Sequence, residues 1–189
     1  ISTGFPGALV PAWVGDVIVG TSVSSGMFDG TWTQTAQAIS CDAAIISTVR
    51  SVVSQIGMTS RLGSIVSLTT LVCRASEKQM IGRLTGAVAL DMESAALGMV
   101  ARDRKVPFAV LRTVSDLVDE DLPLDFNLFL RPLSWVKGIV SLMSRPSSLM
   151  GLNRLRRQSR LAADRLTAVC SAYAGAGFGL LPAMGEKGT

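Results

Sequence analysis

The stretch Ala89-Leu90-Asp91-Met92-Glu93-Ser94-Ala95-Ala96 decides how the chain folds. Ala87 to Leu90 is a short apolar run of strand type, and from Ser94 to Arg104 the residues Ala95, Ala96, Met99 and Val100 fall on one helical face. Two carboxylates, Asp91 and Glu93, therefore sit where a strand turns into a helix. Downstream, Pro107 to Val114 reads as a further buried strand that closes on Ser115-Asp116. Upstream, Ser76 to Leu84 carries a helix-start signal in Ser76-Glu77 and follows a strand from Gly63 to about Cys73. Ala43 to Ile56 spaces Ile45, Ile46, Val49, Val52, Val53 and Ile56 as an amphipathic helix.

Nearer the start, Gly15-Asp16 opens a strand over Val17 to Val23, and Ile1 to Val10 reads as a strand end running into a glycine turn at Gly4 and Gly7. Residues 24 to 40, rich in Ser, Thr and Gly, read as a loop or mobile excursion. Strands alternating with helices predict an α/β fold of three layers, α/β/α, around a largely parallel mixed sheet. Ligands in such sheets bind beyond the carboxyl ends of the strands. That rule selects the turn after Ile1-Thr3, the segment Asp91-Met92-Glu93, and Ser115-Asp116.

Composition narrows the chemistry. The 189 residues, 48% of them hydrophobic and 17% charged, suit one domain over residues 1–189 with a sizeable core. Histidine is absent, which removes histidine acid/base catalysis, serine-histidine triads and histidine metal sites. Acid/base work then falls to carboxylates. Cys41, Cys73 and Cys170 lack metal-ligand spacing and read as buried free thiols of a reducing cytoplasm, so no metal and no bound cofactor are expected. The net charge of +4 is concentrated late, in Arg145, Arg154, Arg156, Arg157, Arg160 and Arg165, with few aromatics, so no nucleic-acid partner is expected. The uncharged stretch Leu166 to Gly185 has the length of a membrane span, but Gly175, Gly177, Gly179 and Pro182 argue against one. The chain opens at Ile1 inside a strand-like run, so a preceding strand is expected to be missing from it.

Each carboxylate taken alone has an ordinary structural reading. Asp91 would cap the following helix, Glu93 would favour its positive end, and Ser115-Asp116 would make a second cap or turn. Taken together at one sheet edge, two carboxylates can divide labour: one, with a raised pKa, protonates a leaving group, and the other stabilises positive charge. Cleavage of a glycosidic bond needs both services.

The 89–96 run, with Pro107-Phe108-Ala109-Val110-Leu111-Arg112, Ser115-Asp116, Gly4-Phe5-Pro6-Gly7-Ala8-Leu9 and Gly15-Asp16-Val17-Ile18-Val19, resembles the purine/uridine phosphorylase superfamily, particularly its methylthioadenosine/S-adenosylhomocysteine nucleosidase branch. The resemblance covers roughly residues 1 to 125 and implies a nucleoside phosphorylase-like fold and cleavage of a purine nucleoside, as homo-oligomer. It implies that Glu93 holds the ribose hydroxyls, Met92 packs on the sugar, Asp116 protonates N7 of the departing purine, and Ser115 supports Asp116. Phe5, Pro6 and Gly7 form the glycine loop at the substrate, and Leu71 and Val72 fall where the family contacts the base. Ser2 stands where phosphorolytic members carry an arginine, which favours water over phosphate as acceptor. The family's water-activating glutamate belongs to the strand expected to be missing, so hydrolase and glycosyltransferase chemistry both stay open, with phosphate as the alternative co-substrate.

Residues 133–165 depart from the small nucleosidases. Leu133, Val136, Ile139, Val140 and Met143 make an apolar face, Arg145-Pro146 breaks it, and Leu149, Leu152 and Leu155 alternate with arginines in a second helix. The layout resembles the hopanoid-associated phosphorylase group, which acts on adenosylhopane, and implies a lipid-linked nucleoside. Against it stand a small nucleosidase substrate, and an inactive binding module or truncated remnant. A cytoplasmic protein with this C-terminal helix pair at the inner membrane surface, and a flexible tail over 175–189, completes the expectation.

Overall fold

The structure, a computed structural model, describes residues 1–122 and 146–179. Its elements run β1 (Ser2–Gly4), β2 (Gly7–Ala8), β3 (Val17–Phe28), β4 (Trp32–Gln34), β5 (Ile39–Ser40), α1 (Ala43–Gln55), β6 (Ser60–Leu68), α2 (Ala75–Thr85), β7 (Ala89–Asp91), α3 (Ser94–Asp103), β8 (Val110–Thr113) and α4 (Pro146–Gly179). The strands form one mixed sheet in the order β1-β8-β3-β6-β7-β2. β1 runs parallel to β8, and β3, β6 and β7 are parallel to one another, while β8 and β2 lie antiparallel to their neighbours β3 and β7.

The sheet curls. β2 ends the strand order at β7, yet its Gly7 also bridges Asp116, three residues past the end of β8. Two consecutive strands, β1 and β2, thus reach opposite ends of the sheet path and bring those ends toward each other as a half-barrel. β-Branched residues fill the interior: Ile18, Val23, Ile65, Val110 and Val114 are buried in one cluster. Val17, Val19 and Leu111 face the other way, onto Val49 and Val53 of α1 and Val169 of α4.

Residues 24–40 are not a loop. β3 continues to Phe28, turns at Asp29-Gly30 and pairs back antiparallel through β4 and β5. The Asp29 carboxylate accepts from the Thr31 backbone N–H and hydroxyl, and Gly30 supplies a φ of +101°. Serine and threonine hid a strand here because their hydroxyls suit both settings, and ladder pairing overrides composition. The 63–73 strand shifts likewise: β6 starts at Ser60, where its parallel register with Val17 begins, and ends at Leu68.

α1 starts at Asp42, whose carboxylate accepts the Ile45 N–H at 2.9 Å. α2 ends at Gly86 in the left-handed region, φ +66°. Gly82 lets α2 lie against the strand-side chain, since a Cβ there would stand 2.6 Å from the Leu9 carbonyl oxygen. That close approach carries Lys78, one turn earlier, toward the carboxyl end of β8.

The first expected C-terminal helix, Leu133 to Met143, lies outside the described residues. The second is α4, which opens at Pro146, a residue suited to a first helical position, and runs past 165 to Gly179. The tail expected from 175 is therefore helical as far as 179. Leu166, Cys170 and Tyr173 pack beside buried Val169, and the Thr113 hydroxyl donates to the Ala162 carbonyl at 2.9 Å. This packing offsets the roughly 1 kcal/mol that each interior glycine costs a helix. Among the described residues no helix is long and apolar enough to cross a membrane.

Candidate active site

Gly7 organises the site. On one side it pairs with Leu90, just before Asp91-Met92-Glu93, and on the other it bridges Asp116. The Ala8 N–H donates to the Asp116 carbonyl at 2.8 Å, completing that bridge. A Cβ at Gly7 would lie 3.2 Å from Asp116 Oδ2 and 3.5 Å from the Leu90 side chain, so a glycine keeps the gap between the two segments narrow. The segments that lead to the two predicted carboxylates are thus separated by a single strand, about two strand spacings of 4.7–4.9 Å each. Glu93 is exposed, Met92 half-buried and Asp116 half-buried.

The environment of Asp116 is asymmetric. Its side chain is 14% exposed, and both oxygens accept from the Lys78 ammonium, at 3.0 and 3.1 Å. Burial raises the Asp116 carboxyl above its ordinary value, Lys78 opposes that rise, and nearby Glu120 reinforces it. The competition leaves a carboxyl easier to protonate than an ordinary aspartate.

Asp91 does something different from Glu93. It is buried with Arg112, whose Nε and NH2 lie 3.0 and 2.7 Å from Oδ2. Ser67 of β6 and Ser94 of α3 donate their hydroxyls to the same carboxylate, and the Ser94 N–H reaches Oδ1 at 3.2 Å, so the helix-capping reading of Asp91 holds as well. Arg112 NH2 also donates to Ser94 Oγ at 2.6 Å and to Ser2 Oγ at 3.0 Å. β1, β6, β7, β8 and α3 meet in this one polar knot. Arg112 NH1 is buried beside Gly4 and is the single buried side-chain polar atom among the described residues without a hydrogen-bond partner.

Other expected site residues separate. Phe5 is 48% exposed and Pro6 is buried between β1 and β2. Ser115 does not hold the Asp116 carboxylate: it is buried and gives its backbone N–H to the Pro6 carbonyl, while Lys78 takes the supporting role. Val72 is 6% exposed in a cluster with Leu9, Leu68, Ile81 and Leu90, so it belongs to the core, with its apolar side chain drawn under α2. Leu71 is half-buried beside it. A cleft of ≈ 760 Å³ lined by Leu9, Trp13, Arg61, Arg83, Leu117 and Asp119 adjoins the segment after Asp116 but contains none of the expected site residues. Among the described residues no group of three potential ligands could hold a metal ion.

Lys78 and Arg112 carry no role in the sequence reading. A lysine at i and an isoleucine at i+3 on the apolar stripe of α2, and an arginine inside the run Val110-Leu111-Arg112-Thr113, are the signals that mark them: a charge on a buried face requires a partner.

Residues 1–132 match the phosphorylase superfamily. A 5'-methylthioadenosine/S-adenosylhomocysteine nucleosidase of Staphylococcus aureus is 31% identical over 140 residues, covering 69% of this chain and 61% of that protein. Its counterpart from Shewanella denitrificans is 28% identical over 141 residues, with the same coverage of 69% and 61%. The chain therefore spans about 61% of the length of these relatives. Among solved structures, a putative nucleosidase of the same kind from Francisella philomiragia superposes with a TM-score of 0.66 at 18% identity, over 91% of this chain and 66% of that one. A futalosine hydrolase mutant of Helicobacter pylori gives a TM-score of 0.62 at 17% identity, over 92% and 66%. These likenesses confirm the α/β nucleoside phosphorylase-type fold, and the chain belongs to the phosphorylase superfamily.

Proposed function

We propose that the protein cleaves the N-glycosidic bond of a purine nucleoside, with water as the acceptor. The observation that carries this reading is the placement of Asp116 and the 91–93 turn on the two flanks of Gly7. Asp116, with its raised pKa, donates a proton to N7 of the base as the C1'–N9 bond breaks and its electron pair passes to the purine. Glu93 holds the ribose hydroxyls and stabilises the oxocarbenium-like sugar, and Met92 covers the sugar face. Water adds to C1' and loses a proton to solvent, and the Asp116 carboxylate takes one up to return to its acid form.

The choice of water rests on Arg112. A guanidinium does stand at Ser2, but Asp91 lies 2.7 Å away and cancels its charge. Such a pair, buried together with its unpartnered NH1, offers little net attraction for phosphate. The relatives' names, nucleosidases and a hydrolase, point the same way. A lipid-linked nucleoside is the finer reading of the substrate. The exposed Arg156, Arg157 and Arg160 of α4 supply a basic surface consistent with it, and Leu161 is exposed beside them, while Leu166, Val169, Cys170 and Tyr173 of that helix pack on α1 and the sheet.

Glu93→Gln tests the ribose role. The charge it removes is used most in the transition state, so turnover of a purine ribonucleoside falls about 10²-fold. Steady-state kinetics on the ribonucleoside and its 2'-deoxy analogue should show the variant losing much of the wild-type preference for the 2'-hydroxyl. A variant that matches wild type on both substrates would exclude Glu93 from the sugar site.

A further inference from the structure

We propose that Lys78 is a positioning residue for the leaving-group proton, fixing the direction and charge of Asp116 and tying it to α4; this rests on the glycosidic cleavage proposed above. Lys78 is fully buried on α2, yet its ammonium has four acceptors within reach: both Asp116 oxygens, the Leu117 carbonyl and the Glu120 carbonyl at 2.6 Å. A buried ammonium is retained only where such partners compensate its desolvation. Three donors shared among these acceptors pin the whole turn from Asp116 to Glu120, leaving the carboxylate one arrangement.

The turn is held from its far side too. Glu120 Oε1 lies 3.4 Å from Arg154 and Oε2 accepts from Gln158 at 2.9 Å, both on α4. A continuous polar chain thus leads from α4 through Glu120 and Lys78 to Asp116. The charged groups acting on Asp116 are Lys78 from α2, Glu120 from its own turn and Arg154 from α4; β2 presents only Gly7 there. Among the described residues Lys78 alone donates hydrogen bonds to the carboxylate, so it governs when the proton is held and released.

The test is the pH profile of Lys78→Met. Removing the cation disfavours the carboxylate, so the basic limb of kcat/KM, which reports the acid in the free enzyme, moves to higher pH. Loss of the pinned geometry lowers kcat about 10²-fold, with a smaller change in KM. A purely structural lysine would lower the folded fraction and leave the limb in place. A folded Lys78→Met chain with the wild-type limb, whatever its plateau, overturns the proposal. If that variant does not fold, Asp116→Asn is compared with Lys78→Met/Asp116→Asn, in which neither charge is stranded. The proposal expects the two to agree within about threefold, because Lys78 acts through Asp116; a full further loss of about 10²-fold in the double variant overturns it. Should wild type release no adenine, the cleavage reading fails by itself. Lys78 is then judged by carbon-13 titration of the Asp116 carboxyl, whose midpoint must be lower with Lys78 present than in Lys78→Met.

Discussion

Asp116→Asn lowers adenine release by about 10²–10⁴-fold in a chain that stays folded. The expected loss is large because an amide has no proton to give to N7, while its carbonyl can still accept from Lys78. The ammonium loses its counter-charge but keeps the Leu117 and Glu120 carbonyls, so the change costs some stability without unfolding the chain. The backbone bridge to Gly7 and Ala8 is untouched by the change. Base release followed by chromatography, beside circular dichroism and a thermal melt, separates chemistry from folding. Wild-type turnover in the folded variant would remove Asp116 from the mechanism.

Arg112→Met acts mainly on stability. Arg112 and Asp91 are each about 2% exposed at the side chain, and Asp91 would keep only the Ser67 and Ser94 donors once the guanidinium is gone. Stranding a buried carboxylate in this way costs about 3–5 kcal/mol. The knot joins β1, β6, β7, β8 and α3, so the loss should appear as one cooperative shift in urea unfolding. Replacing both members by apolar residues, Arg112→Met with Asp91→Leu, should recover much of that stability. A single substitution that costs less than about 1 kcal/mol would show that the pair is solvated rather than buried.

What could be read from the residues follows from periodicity. Asp91, Glu93 and Asp116 were found because apolar runs end at them, and a strand's carboxyl end is visible in a pattern of period two or in a β-branched run. Their approach through Gly7 was not, since pairing of β2 with β7 and with Asp116 is a property of sheet curvature that no local pattern encodes. Lys78 lies 38 residues from Asp116 in sequence, and its place on the buried stripe of α2 with Ile81 calls for a partner without naming which. The side chain of Val72, beside Leu68 and Ile81, is drawn into the core by the apolar area it buries, a packing role that the resemblance to a base-contacting segment does not carry. In residues 24–40, hydroxyl-rich composition outweighed an alternation too weak to be seen without its partner strand.

The most direct test is to supply the complete protein with methylthioadenosine and with adenosine, in phosphate-free buffer and again with phosphate. Free adenine and the reducing sugar are measured together. Adenine and free sugar are expected in equal amounts, at a rate that phosphate does not raise. Adenine release that requires phosphate, with sugar 1-phosphate as product, would contradict water as the acceptor; no base release from any purine nucleoside by the folded protein would contradict glycosidic cleavage itself.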